Sequence, residues 1–297
     1  MFNKLNEPVF LKDDSSAEKE LEFLKTLPPS PETEQYIKCV EAGIIGEKQI
    51  RFELANSHMP MYVLHDVFLE HNGLTAQIDY MVICRKYTYL IECKNLYGNI
   101  EINEKGDFIR TVSFGKFYRK EGIYSPITQS QRHLSLIEAI IKENFPGFLK
   151  RLISTKWYWK TVVVLANPKT VLNDKHAPKE VKSQVIRADQ LIAYIKECES
   201  KSKEHARNDK ELKDIAESWL KGCAENPVNY AEKYSAVKAP QQAGAVPPSG
   251  GAPLCPKCNV PMVKRTSKRG DKKGEIFWGC PNFPRCWNTI PIKEVSK

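Results

Sequence analysis

The chain has 297 residues, 41% of them hydrophobic, and 45 Lys/Arg against 36 Asp/Glu give a formal net charge of +9. That length holds one substantial domain and a smaller module, and no run of about 18 apolar residues offers a membrane-spanning helix. Nine cysteines, five of them isolated (Cys39, Cys84, Cys93, Cys198, Cys223), make no disulfide framework; with an N-terminus that lacks a secretory signal, they lead to the expectation of a reducing, cytoplasmic location.

In chain order, residues 1–30 read as a helical lead-in, with a helix over Ala17–Lys25 that stops at Pro28-Pro29. A long helix is expected from Pro31 to Asn56, entered from Ser30 with proline in its first turn. Val40, Ile44, Glu47, Arg51 and Leu54 recur at helical spacing and share one stripe of it, where Arg51, one turn on, is the ordinary partner for Glu47. Strands are expected at 61–70, 74–84 and 87–94, with shorter extended pieces at 97–102, 107–113 and 116–120. A helix over Thr128–Asn144 follows, then a buried strand from Trp157 to Leu165 and helices at 188–198 and 209–221. Residues 31–225 thus form the large domain. The Ala/Pro/Gln/Gly-rich stretch 226–254 reads as a flexible linker, and 255–297 as a separate terminal module.

Within the strand-rich part, Asp79 stands in Leu74–Ile83 and Glu92-Cys-Lys94 closes Tyr87–Asn95. Side chains on a strand alternate faces, so Glu92 and Lys94 point together and Cys93 points away. A hairpin turning near Arg85-Lys86 sets Asp79 across from Glu92. Two carboxylates and an ammonium converging in a buried sheet are costly unless paired or metal-bound. They can hold a hard dication and place a positive charge beside a phosphate.

The terminal module carries Cys255-Pro-Lys-Cys258 and Cys280-Pro-Asn-Phe-Pro-Arg-Cys286, two short-spaced pairs that suit a tetrahedral zinc ion. A fold of about 40 residues has too small a core to stand without the metal. Residues 255–297 hold ten Lys/Arg against three Asp/Glu, a net of +7, while the remainder is nearly balanced. Such a basic module points to a polyanionic partner.

Gly274-Glu-Ile-Phe-Trp-Gly-Cys280 and Cys286-Trp287 resemble the zinc ribbons at the C-terminus of bacterial type I topoisomerases. The resemblance implies single-stranded DNA binding, with Phe277 and Trp287 stacking on bases and Lys264, Arg265, Lys268 and Arg269 following phosphates. Trp278 alternates with Phe277, so at least one of the two must pack the small core.

Ala42-Gly-Ile-Ile-Gly-Glu47, Gln77-Ile-Asp79, Leu90-Ile-Glu-Cys-Lys-Asn95 with Gly98, and Pro126-Ile-Thr-Gln129 together resemble the nuclease-related domain, a branch of the PD-(D/E)XK nuclease fold. The match is strongest over 36–145. Cys93 stands where that family usually has Val, and Ser125 precedes Pro126 where Asn is frequent. The resemblance implies an α/β fold with a restriction-endonuclease-like core, a central mixed sheet flanked by helices. It implies that Asp79 and Glu92 ligate Mg2+ or Mn2+ with the main-chain carbonyl of Cys93, and that Glu47 reaches the metal from the first long helix. Lys94 would orient the attacking water and offset charge on phosphorus, and Gln129 would bind phosphate or a metal-bound water. His133, one turn after Gln129, reads as structural or solvated. The expectation is a metal-dependent deoxyribonuclease targeted by its zinc ribbon, without membrane association. A catalytically silent DNA-binding or scaffolding protein on the same fold is the alternative, and these residues do not separate DNA from RNA.

Overall fold

Strands rich in Val, Ile, Leu and Tyr, four of them between Met61 and Leu165, build a six-stranded mixed sheet in the order β1-β2-β3-β4-β8-β10. Its strands are β1 (Pro8–Lys12), β2 (Met61–His71), β3 (Leu74–Ile83), β4 (Thr88–Lys94), β8 (Trp159–Leu165) and β10 (Val185–Arg187). The computed structural model describes residues 5–114, 117–144, 158–235, 253, 255–256, 260–267, 275–280 and 288–291. The chain divides at Pro240 into two units.

β2, β3 and β4 form an antiparallel meander, whereas β4, β8 and β10 are parallel to one another. Parallel neighbours need crossovers, and helices supply the cover on both faces. Helix α2 (Pro31–Ala55), with Ile50 and Leu54, and helix α5 (Leu191–Lys201) cover one face over Val63, Tyr80, Val82 and Ile91. Helix α3 (Pro126–Asn144) and helix α6 (Asp209–Gly222) cover the other over Leu64, Ile78, Met81 and Leu90. The single-turn helix α4 (Lys179–Lys182) leads into β10. A second sheet, β7-β6-β5-β9, packs Ile100, Ile102 and Phe108 against Ile127 at the start of α3. It comprises β5 (Asn99–Ile102), β6 (Phe108–Phe114), β7 (Phe117–Ile123) and β9 (Leu172–Asn173).

Helix α2 begins where Ser30 and Pro31 place it: the Ser30 side chain accepts from the Thr33 amide at 3.0 Å. α6 opens on a capping box between Asn208 and Glu211.

Two segments differ from the sequence expectation. Pro8–Lys12 lies inside the lead-in read as helical, yet it adds a parallel edge strand to β2 ahead of helix α1 (Ser16–Thr26). Five residues are too few for periodicity to reveal, and the parallel pairing with β2 is decided at long range. At the other end, residues 226–235 fall in the stretch assigned to a linker by composition, but they lie against the domain. Helix α7 (Tyr230–Lys233) and Tyr234 pack on Phe23 and Tyr36, with ring centroids 5.0–6.3 Å apart, and the Tyr230 hydroxyl donates to Ser16 O at 2.9 Å. Aromatic contact decides that segment, not its polar composition. Residues 236–252 lie outside the described residues.

The smaller unit is a three-stranded antiparallel sheet of β11 (Val263–Thr266), β12 (Ile276–Gly279) and β13 (Thr289–Pro291). Among the described residues no helix is long and apolar enough to cross a membrane.

Candidate active site and zinc ribbon

Asp66, in mid-β2, takes a left-handed φ of 52°, which an Asp tolerates better than most residues. Strict alternation is reset there. Leu64 and Val67, three apart, face the same cluster, as do Ile78 and Met81 on β3. β3 and β4 pair from Ile83↔Thr88 to Tyr80↔Ile91, a register in which Asp79 would next face Glu92. The ladder ends one step short of that pair. Instead the Cys93 N–H donates to the Asp79 carboxylate (Oδ2, 2.6 Å), so a side chain takes the place of a backbone carbonyl.

At that fork a cavity of about 290 Å3 opens, lined by Gly43, Glu47, Gln77, Asp79, Glu92, Cys93, Lys94, Asn95 and Gln129. Every residue expected at a nuclease centre from the sequence is among them. Alternation places them: Leu90 faces the α3 side, whereas Ile91 and Cys93 face the α2 side. Glu92 and Lys94 accordingly meet Gln129 of α3. Lys94 Nζ donates to Glu92 Oε1 at 2.6 Å and to Gln129 Oε1 at 3.1 Å. Glu47 arrives from α2. Its expected helical neighbour Arg51 is committed to Asp13 through a two-pronged pair at 2.5–3.0 Å, so it does not neutralise Glu47.

Negative charge at this fork exceeds its local compensation. Asp79 lies deep among its neighbours, with part of its surface open to the cavity. Burial first, then the Glu92 charge, push its carboxyl well above the usual range, against the lowering effect of the Cys93 N–H. Burial also raises Glu92, which is 4% exposed, and the Lys94 ammonium partly opposes that shift. Two neighbouring groups pushed the same way by burial mark a place where a cation would relieve the strain.

Two further side chains stand at the site: His133, which the sequence reading set aside as structural or solvated, and His65, which it did not single out. His133 brings Nδ1 to 3.9 Å from Glu92 Oε2 and is largely buried. Burial, and then the Lys94 ammonium, lower its pKa and so favour the neutral ring. Its spacing of four from Gln129 on one helix was the available signal. The second is His65, whose Nε2 lies 3.0 Å from Glu47 Oε2. Nothing local in the sequence pairs residues 47 and 65.

Gly46 lets α2 approach this close. A Cβ there would stand 2.6 Å from Asn95 Cβ and 3.0 Å from Cys93 Sγ. Asn95 also ties the two elements together by donating to Ala42 O at 2.6 Å. Gly46→Ala is therefore expected to lower stability by about 1–3 kcal/mol, despite alanine's better helix propensity. Thermal unfolding measures this, and an unchanged or higher melting temperature would refute the close-packing argument.

Among the described residues no three His, Cys, Asp or Glu side chains stand together as a ready cage for an ion. The carboxylates are instead held by internal donors, Cys93 N–H on Asp79 and Lys94 on Glu92. The donor set itself suits a hard divalent cation: carboxylate oxygens from three elements and an amide oxygen, facing one solvent-open cavity, with their charge incompletely balanced.

In the small unit Cys255 and Cys280 are buried together with Met262. Their amides donate to Val260 O (2.9 Å) and Asn288 O (3.1 Å), and Asn288 Nδ2 approaches Cys255 Sγ at 3.7 Å. A soft sulfur ligand that receives an N–H donor, as Cys255 does from Asn288, suits zinc. The other two expected ligands, Cys258 and Cys286, lie outside the described residues, as do Lys268, Arg269 and Trp287. Trp278 packs against the cysteine cluster, with Lys264 Nζ 5.4 Å from its ring centre. Phe277 is half-buried and pairs across the strands with exposed Arg265, whose stem lies over Gly279. Of the two aromatics it is thus Trp278 that packs the core.

Residues 42–166 match the family model of the nuclease-related domain, and residues 253–295 match that of the topoisomerase DNA-binding C4 zinc finger. An uncharacterized protein of Bacillus anthracis is 32% identical over 133 residues, which cover 44% of this chain and 61% of that protein. DNA topoisomerase 1 of Mycoplasma genitalium is 56% identical over 32 residues, 11% of this chain and 4% of the topoisomerase. The chain thus spans about three fifths of the first curated relative and a small fraction of the second. No solved structure matches the chain significantly. The protein therefore combines a nuclease-related domain, set in a mixed α/β sheet, with a topoisomerase-type C4 zinc finger.

Proposed function

We propose that this protein is a divalent-metal-dependent nuclease of the PD-(D/E)XK type that hydrolyses DNA phosphodiester bonds, held on single-stranded DNA by its zinc ribbon. One observation carries the reading. Glu47, Asp79, Glu92, Lys94 and Gln129, from four separate elements, line a single cavity in which burial drives both core carboxyls above their usual range.

Asp79 and Glu92, with Glu47 and the Cys93 carbonyl, are the groups that would hold Mg2+ or Mn2+. When bound, such an ion supplies Lewis acidity toward the phosphate and lowers the pKa of its water. The chain's own contribution is positioning and charge. Lys94 keeps an ammonium beside Glu92 and can carry it to the phosphoryl oxygens, where negative charge builds in the transition state. The Gln129 amide steadies Lys94 through its oxygen and Glu92 through one N–H, which leaves its second N–H for phosphate. No side chain need bond covalently to the substrate. In the ribbon, Arg265 and Phe277 occupy the face opposite the packed Trp278, a pairing of cation and ring that suits a single strand. The Zn2+ would be held by Cys255, Cys258, Cys280 and Cys286.

The test is cleavage of single-stranded, duplex and supercoiled DNA, and of single-stranded RNA, with magnesium, manganese or chelator. Wild type should cut DNA only with metal, and Lys94→Ala and Glu92→Ala should fall by at least about 100-fold. Equal cutting by all three proteins, or none under any condition, rejects catalysis at this site and leaves the silent DNA-binding alternative.

A further inference from the structure

Glu47 is the one carboxylate of the cavity that comes from a helix, and a helix-borne side chain needs something to hold its direction. Its carboxylate lines the nuclease cavity and also a smaller one of about 170 Å3 on the other side. Oε2 faces His65 Nε2 at 3.0 Å and Ser15 Oγ at 3.4 Å. Oε1 has no hydrogen-bond partner among the described residues. A contact between a ring nitrogen and a carboxylate oxygen places the ring proton on Nε2, so His65 is the donor.

The His65 ring is itself fixed. It stacks on Tyr80 with centroids 4.4 Å apart and planes 14° apart, and the Tyr80 hydroxyl donates to the main-chain carbonyl of Glu47 at 2.9 Å. Two adjacent strands therefore grip the same residue twice, at its carboxylate through His65 and at its backbone through Tyr80. This arrangement carries a cost. His65 is 6% exposed, and its Nδ1 is buried without a hydrogen-bond partner. A phenyl ring would fill the same space and stack on Tyr80 without an unpaired nitrogen, so packing alone gives no reason for histidine here.

We propose that His65 is a positioning residue for the metal site: its Nε2–H pins one oxygen of Glu47 so that the other is presented to the dication at Asp79 and Glu92. The inference rests on reading the cavity as a metal-dependent nuclease centre. Outer partners of this kind orient a ligating carboxylate, and their loss weakens metal binding about 10–100-fold.

The test is a calorimetric titration of Mn2+ into the full-length protein, with thermal unfolding of each metal-free variant as a check on folding. His65→Phe keeps the ring and its stack but removes the donor, and should bind Mn2+ about 10–100-fold more weakly without a loss of melting temperature. His65→Gln keeps an N–H near the Nε2 position and should recover most of that affinity. In Glu47→Gln the carboxylate is gone, and adding His65→Phe to it should cost little more, because the two residues act as one unit. Wild-type affinity in His65→Phe, or losses that add in full, overturns the positioning role alone. A wild-type protein that takes up no Mn2+ overturns the nuclease reading as well.

Discussion

Asp79→Asn is expected to abolish metal-dependent cleavage, by about 1,000-fold or more, while making the metal-free protein more stable. Burial and the Glu92 charge raise the Asp79 carboxyl well above its ordinary value. The folded state therefore holds this proton more tightly than the unfolded chain. The group's contribution is most favourable below the ordinary carboxylate pKa, and it declines as pH rises through that value toward the raised one. Near neutrality the charge is a net cost of folding. An amide is nearly isosteric, and its oxygen can still accept from the Cys93 N–H, so the variant sheds the cost and keeps the hydrogen bond. The gain should fall in the range of about 0.5–2 kcal/mol that such releases yield, or roughly 2–4 °C per kcal/mol for a domain of this size. The difference in stability between wild type and variant should shrink as pH falls below the ordinary carboxylate range. Divalent cations act in the opposite sense: at about one hundred times its dissociation constant Mn2+ stabilises wild type by about 2.7 kcal/mol, and the variant far less. Melting curves at several pH values, with and without Mn2+, check all of this. A destabilised Asp79→Asn protein, or an equal Mn2+ shift in both, contradicts the charge argument.

The second large effect concerns the small unit. Cys255→Ser or Cys280→Ser should reduce bound zinc from one per chain to none and unfold the ribbon. The three described strands are four, four and three residues long, and the buried cluster around Cys255, Met262 and Cys280 is too small to carry a fold alone. Zinc supplies on the order of 10–16 kcal/mol in such modules. Melting of residues 1–240 should not change, since that unit has hydrophobic cores of its own. Affinity for single-stranded DNA should fall by more than about 10-fold and lose much of its salt dependence. Cleavage of a short oligonucleotide at saturating concentration should persist, because in the proposed function the ribbon holds DNA and the Asp79/Glu92 fork cuts it. Elemental analysis, binding titrations at two salt concentrations and cleavage at saturation separate these outcomes. Tight zinc retention by Cys255→Ser, or unchanged DNA binding after zinc loss, would count against the ribbon's assigned role.

Much of this arrangement was legible in the sequence, because it rests on short-range periodicities. Alternation assigned Glu92 and Lys94 to one face and Cys93 to the other. The turn near Arg85 set the register, and Ser30-Pro31 marked the entry to α2. The ladder's end at Tyr80↔Ile91 was not legible: it depends on a strand fork that also involves the left-handed Asp66, and no local pattern distinguishes that from continued pairing. For the same reason the Asp79 carboxylate, expected to face Glu92 directly, takes the Cys93 amide instead. The partner of Glu47 was equally hidden. Spacing favoured Arg51 one turn away, but Asp13, close to a strand no periodicity announced, draws Arg51 off and leaves Glu47 to His65. Long-range pairings of this kind decide which charges in a buried site are compensated, and here they leave the carboxylates of the fork in excess.

The most direct test of the central claim is a manganese soak of crystals of the full-length protein, with anomalous diffraction to locate the ion. One peak bounded by carboxylate oxygens of both Asp79 and Glu92, each within about 2.0–2.6 Å, is the predicted result. A fork that stays empty at saturating manganese, with Lys94 still seated on Glu92, or a peak elsewhere, would contradict it.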